Sequence, residues 1–258
     1  MERVEYDELV YYRLPAWSNT KHGIFTRHGG VSSPPFGSLN LGGNVGDDPQ
    51  NVRCNHERMY AALGVRGERA CTVWQVHSAD VVIASAPVRG RRWLAAADAL
   101  MTDKPDTPLA MRYADCTPIL LRDARAGVIG MAHAGWRGTV LGVSGATARA
   151  MIAAYGCQAD DIEAWIGPSI SVARYQVGAE VVDAVRAQFG TLDGLIRRDP
   201  LDGTAYFDLW AANRLDLARA GVERVTIAGV CTASNTGDWF SHRGEGGRTG
   251  RFGAVMAL

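Results

Sequence analysis

This 258-residue chain has no apolar run near the roughly 20 residues that a helix needs to span a bilayer; its longest, 128–134 and 225–230, are the size of strands. It also lacks net charge. With 27 Lys and Arg against 27 Asp and Glu, no overall field draws it to nucleic acid or to an anionic membrane, so a small-molecule partner is expected; a monomer is expected as well. Cysteine is sparse: five residues, an odd number at wide and irregular spacings, make no disulfide framework and suit a reducing compartment. The opening MERVEYDELVYYRLP carries Glu2, Glu5, Asp7 and Glu8 where a secretory leader has a basic start and an apolar run, which predicts a cytoplasmic protein. No repeat, proline-rich stretch or low-complexity segment divides the sequence, so residues 1–258 read as a single domain around one sizeable core.

What is present is a mixture of short strands and helices. Asp47 and Asp48 before Pro49 mark a helix start, because a carboxylate caps free amides and proline is tolerated in the first turn; that helix runs to about residue 63, ahead of Gly64. Segments 71–85, 109–121 and 127–132 are apolar, partly β-branched and bounded by glycine or charged turns, which predicts strands. After Gly135 and Gly138 the spacing of Val140, Val143, Ala146, Ala150 and Ile152 turns helical, with Gly156 as its stop. Strands are expected at 162–166 and 225–230, and helices at 179–189 and 208–220, the latter capped by Asp208. The irregular order of these elements predicts an α/β fold of the mixed α+β kind.

Three segments set a metal-capable side chain at or near a predicted strand end: Trp74-Gln75-Val76-His77, Ala114-Asp115-Cys116-Thr117-Pro118 and His133-Ala134-Gly135-Trp136-Arg137-Gly138. The separations are too wide for a zinc finger and suit a site assembled by a sheet. Two imidazoles and one thiolate leave a tetrahedral Zn²⁺ an open position for water or a substrate oxygen. The same residues also compose a cysteine nucleophile with a histidine base, and packed side chains at strand ends are the plain alternative. Asp115 suits a proton-transfer or ligand-orienting carboxylate, or a turn aspartate. Arg137, among glycines ahead of a helix, is a candidate anion contact. The polar loops 26–32 and 38–42 add Arg27, His28 and Asn40 as candidate substrate contacts, with Gln75 beside His77. His22, His56 and His242 lack such company and read as surface or structural residues. Arg243, Arg248 and Arg251 sit on a glycine-rich loop that clamps an anion or is simply solvated.

Together TRHGGVS (26–32), SLNLG (38–42), VGDD (45–48), WQVHSADV (74–81), DALMTD (98–103), ADCTPILL (114–121), HAGWRGT (133–139), IGPSIS (166–171) and TGR (249–251) resemble the laccase-domain family, also called YfiH-like or multicopper polyphenol oxidoreductase-like. The resemblance covers nearly the whole chain. It implies two β-sheets flanked by helices, and metal ligands at His77, Cys116 and His133 that also form the catalytic group with Asp115. It further implies phosphorolysis of adenosine, inosine, guanosine and methylthioadenosine, with deamination of adenosine. Two other activities follow from it: removal of a wrongly incorporated L-serine from peptidoglycan precursors, and laccase-type oxidation of polyphenols. Zn²⁺ is preferred to copper, because one His₂Cys site without further clustered histidines cannot build the several centres that a laccase needs. The chain departs from the family at Ser169, where cysteine is common, and at His242-Arg243-Gly244-Glu245, where a Tyr-Arg-Arg-Asp-like stretch is common.

Overall fold

The computed structural model describes residues 1–87 and 92–258. The chain opens with β1 (Glu2–Tyr6), β2 (Leu9–Arg13) and β3 (Lys21–Phe25), followed by α1 (Pro49–Ala62). Asp48 caps α1 by accepting a bond from the Gln50 amide at 2.7 Å, and Pro49 stands in its first turn. Then come β4 (Val81–Ile83), β5 (Ala99–Thr102), β6 (Leu109–Tyr113), β7 (Thr117–Asp123) and β8 (Val128–Ala134), and the helices α2 (Trp136–Val140) and α3 (Val143–Tyr155). The last part holds β9 (Ile162–Ile166), β10 (Gln176–Val177), α4 (Ala179–Phe189), β11 (Ile196–Arg198), β12 (Ala205–Phe207), α5 (Leu209–Arg219), β13 (Arg224–Ile227) and β14 (Phe252–Ala257).

Two large sheets pack face to face. One is antiparallel throughout, in the order β1-β2-β3-β14-β6; the other is mixed, in the order β13-β9-β7-β8-β5-β4, with parallel pairs only at its two edges. A third, three-stranded sheet (β10-β12-β11) joins the two that the resemblance implies, packing with α4 and α5 around Phe189, Phe207 and Leu209. Side-chain alternation decides what lies between the large sheets. In β8, Ile129 and Met131 enter the inter-sheet core, while Val128, Ala132 and Ala134 turn to the face covered by α3 and α5. In β6, Leu109, Met111 and Tyr113 point inward. Tyr113 stacks on Phe252 with ring centroids 5.7 Å apart. Both are fully buried, and truncating Phe252 to alanine is expected to cost about 3–5 kcal/mol.

The mixed fold agrees with the expectation, as do α1, α4, β9 and α5, whose Asp208 cap accepts from the Ala211 amide. The continuous strand expected at 109–121 is two strands in two different sheets, divided at a corner where Asp115 adopts φ 77°. An alternation pattern carries no sign of a non-glycine residue in the left-handed region. Of the strand expected at 71–85 only β4 is regular; Cys71 and Trp74 make isolated bridges, and the chain turns at His77 with φ 63°. The helix expected after Gly135 breaks into α2 and α3 at Gly142, which has φ 76°. The strand expected at 225–230 ends at Ile227, before Gly229 with φ 67°. No helix among the described residues is long and apolar enough to cross a membrane.

Candidate metal centre

The corner between β6 and β7, the end of β8 and the turn at His77 converge. One ligand atom each from His77, Cys116 and His133 lies within 4.8 Å of the others. His77 Nε2 is 4.0 Å from Cys116 Sγ, and the two imidazole centroids are 5.0 Å apart. Strand register explains half of this: His133 lies opposite Pro118, two residues after Cys116, and shares the inward face of Ile129 and Met131. Gly135 explains more. A Cβ there would lie 2.8 Å from Cys116 Sγ and 3.0 Å from His77 Cδ2, so only glycine leaves the donors their room.

Asp98, fully buried, ties the three together, although DALMTD, the segment it opens, carried no assigned role in the sequence. Its Oδ1 binds His133 Nδ1 at 2.8 Å, which turns Nε2 toward the other donors. Its Oδ2 accepts from the amides of Val76 and Ser78 at 2.9 and 2.7 Å, clamping both sides of the strained His77 turn. Burial opposes the charge of Asp98, but the bond and charge of His133 and those two amides outweigh it and hold the carboxyl below its ordinary value. Burial likewise opposes the Cys116 thiolate, yet the charge of His133 and hydrogen bonds from both imidazoles bring it down to about 6. For His133, burial favours the neutral ring, but Cys116 and Asp98 raise it to about 9. The group is thus a ready thiolate with two imidazoles, one of them fixed by a carboxylate. These are donors that fit a borderline-soft ion such as Zn²⁺, and a thiolate so activated equally fits nucleophilic chemistry.

The donors open into a cleft of about 530 Å³. Gln75 lines it and is held by Arg112, donating to its carbonyl at 2.7 Å and accepting from its amide at 3.1 Å. Asp115 lines it too, but its carboxylate accepts from Thr232 Oγ1, Ser241 Oγ and the Arg243 amide at 2.6–2.7 Å. It anchors the C-terminal loop. Arg137 is exposed and lies over the Trp136 ring, which lines the cleft. Arg27, His28 and Asn40 are not in the wall. Arg27 binds the carbonyls of Gly37 and Thr236 and the carboxylate of Glu245, and His28 pairs with Asp238. Asn40 is buried, and its Oδ1 accepts from the Gly42 and Arg251 amides. His242, read as a bystander, lines the cleft, whereas His22 is buried between Thr20 and the Leu14 amide as a structural residue. Arg243 and Arg251 of the glycine-rich loop face the cleft, and Arg92 and Arg112, unmarked by any motif, join them. Trp74 and Trp93 meet edge to face at 4.6 Å on the same wall. The signal for Arg112 was a cation inside an otherwise apolar strand, LAMRY.

A family model described as multi-copper polyphenol oxidoreductase laccase matches residues 21–258. The chain belongs to that family. It is 40% identical over 237 residues to a purine nucleoside phosphorylase of Deinococcus radiodurans, covering 92% of this chain and 88% of the relative. It is 38% identical over 250 residues to the purine nucleoside phosphorylase YlmD of Geobacillus stearothermophilus, covering 94% and 91%. The crystal structure of YlmD from Geobacillus stearothermophilus superposes with a TM-score of 0.92 at 35% identity, over 98% of this chain and 97% of that one. That of the Bacillus licheniformis hypothetical protein YfiH gives 0.90 at 30% identity, with the same coverage. The family's description speaks of several coppers. In this laccase-family chain His77, Cys116 and His133 are the one group of three or more His, Cys or acidic side chains, among the described residues, close enough to share an ion.

Proposed function

We propose that this chain is a zinc-dependent purine nucleoside phosphorylase acting on adenosine, inosine, guanosine and methylthioadenosine, and that it also deaminates adenosine. The observation that carries this reading is a preorganised thiolate-and-imidazole triad opening into a cleft whose other charged side chains are mostly arginines. The names of the relatives support the nucleoside class. His77, Cys116 and His133 would hold the ion, and a bound Zn²⁺ supplies Lewis acidity at the cleft wall.

The protein's own residues do the rest. Asp98 keeps His133 in one tautomer and holds the His77 turn. Burial, then the nearby charge of Cys116, lift the Tyr175 phenol far above its ordinary value, so it faces the cleft as a neutral hydroxyl. Arg243 lies over that ring at 5.3 Å with its guanidinium bound to the Gln176 carbonyl, which orients a cation on the same wall. Trp136 and Tyr175 line the cleft, and their rings would exclude water from a planar base. Asp115, with three donors on its carboxylate, positions the loop that carries His242 and Arg243; in this reading it is not the proton-transfer group.

The experiment is to incubate the purified protein with adenosine, with and without phosphate, and to follow adenine and inosine by chromatography beside a Cys116→Ala control. Phosphate-dependent adenine and phosphate-independent inosine, both lost in the control, are expected. Absence of both products from the metal-loaded protein would sink the reading and leave amide hydrolysis on a cell-wall precursor as the next reaction to assay.

A further inference from the structure

We propose that Arg92, Arg112 and Arg251, gathered beside Gly42 and Gly43, form a subsite for a phosphate dianion, which shares only Arg251 with the loop arginines that the sequence suggested as a clamp. The inference deepens the phosphorylase reading and rests on it for its use in catalysis, but the binding itself can be measured alone.

Two consecutive glycines bring the cations together. A Cβ on Gly42 would lie 2.6 Å from Arg251 Cγ, and one on Gly43 would lie 2.5 Å from Arg92 Nη2. Both arginines therefore lie against backbone positions about 3.8 Å apart. Asn40 holds this arrangement by accepting from the amides of both Gly42 and Arg251, at 2.9 and 2.8 Å. Arg112 completes it from β6, its guanidinium fixed by Thr72 Oγ1 at 2.9 Å and the Val73 carbonyl at 3.0 Å.

These partners orient the guanidiniums without neutralising them. Among the described residues none of the three comes within 4.0 Å of a carboxylate. Elsewhere the chain pairs its arginines readily, as in Arg27 with Glu245, Arg122 with Glu163 and Arg125 with Asp161. Burial, with Arg92 adding to it against the opposing influence of Tyr60, pushes the Arg112 guanidinium below its ordinary value. Burial does the same to Arg251, while the charges of Cys116 and Asp115 oppose it, which sets this side chain within electrostatic reach of the metal-side donors. Partly desolvated guanidiniums around one cavity are stabilised by a multivalent oxyanion, whose oxygens match their planar forks. A phosphoryl group of that kind comes either from free orthophosphate or from a phosphate ester such as a nucleoside 5′-monophosphate.

The test is calorimetric titration of the full-length, metal-loaded protein with inorganic phosphate and, separately, with adenosine 5′-monophosphate. Wild-type protein is expected to bind at least one of the two, and the one it binds names the source of the phosphoryl group. Arg92→Ala, at an exposed position, and Arg112→Met are each expected to weaken that binding about tenfold or more, with Arg197→Ala on β11 as an unaffected control. Binding of neither probe to wild-type protein, or equal binding by wild type and Arg92→Ala, overturns the subsite. Where orthophosphate is the probe bound, phosphorolysis whose KM for phosphate is unchanged in Arg92→Ala discards the subsite and keeps the phosphorylase reading. Phosphate binding that Arg92→Ala weakens, in a protein that cleaves no nucleoside, does the reverse.

Discussion

The two sides of the cleft are built on opposite principles. On the metal side the His133 imidazole and the turn at His77 are held by one partner of complementary character: Asp98 grips His133 and the amides flanking His77, and Gly135 leaves space for the sulfur. On the arginine side the guanidiniums of Arg112 and Arg251 are positioned by neutral carbonyls and a hydroxyl, and their charge is left standing. The first arrangement is organised before any ligand arrives, so little reorganisation is needed when one does. The second stores repulsion that an anion relieves. One cleft thus separates a wall that shapes chemistry from a wall that selects charge.

That contrast can be broken most severely at the donors. Cys116→Ala should abolish metal binding and lower turnover by on the order of a thousandfold, with the fold retained, as elemental analysis and circular dichroism would register. If instead the variant unfolds, the centre is structural rather than catalytic. Asp98→Asn keeps the shape but removes the charge that faces His133, and a competitive chelator titration should find metal affinity about 10- to 100-fold weaker. Equal affinity would mean that the donors do not need their buried carboxylate.

Asp115→Ala strips three donors of their acceptor and should lower stability by roughly 1–3 kcal/mol in denaturant titration, with faster hydrogen exchange at Ser241 and Arg243 than at the strands. The smallest effect sharpens the comparison without mutation. In metal-free protein, alkylation of Cys116 should rise with a midpoint near about 6, well below an ordinary thiol. The sign for stability follows. The lowered Cys116 contributes stability that is full above the ordinary thiol value of about 9 and is lost as pH falls through about 6, and the raised His133 contributes stability that is full below the ordinary imidazole value of about 6.5 and is lost as pH climbs through about 9. Between those values the two contributions change in opposite directions and largely cancel, so a thermal-melt series on metal-free protein is expected to be nearly flat across them, and a steep slope of either sign would mean that only one of the two groups is shifted.

Local chemistry made part of this legible. Asp48 with Pro49, and Asp208, announced their helices because a cap acts within three residues of itself. The residues β8 and β9 share with the predicted strands read correctly because apolar β-forming runs need no distant partner to be recognised. The corner at Asp115 did not, since alternation continues across it while the backbone changes sheets. Among site residues, His77, Cys116 and His133 were nameable by chemical type. Arg27 and His28 were equally good by type, and lie elsewhere because Glu245 and Asp238, more than 200 residues away, take their hydrogen bonds. Asp98 had no readable role for the converse reason: its residue type alone names no task, and its three partners come from two other segments.

By itself the sequence determined which side chains able to bind metal or anions exist, where helices begin, and which strands carry an apolar face, because those properties depend on residue type and near neighbours. Only the tertiary structure decided that three donors share one spot, that Asp98 governs them, and that Arg92 and Arg112 face the same cleft as Arg251. Each of those facts joins residues far apart in the chain, and what brings them together is the packing of two sheets, which no single segment encodes.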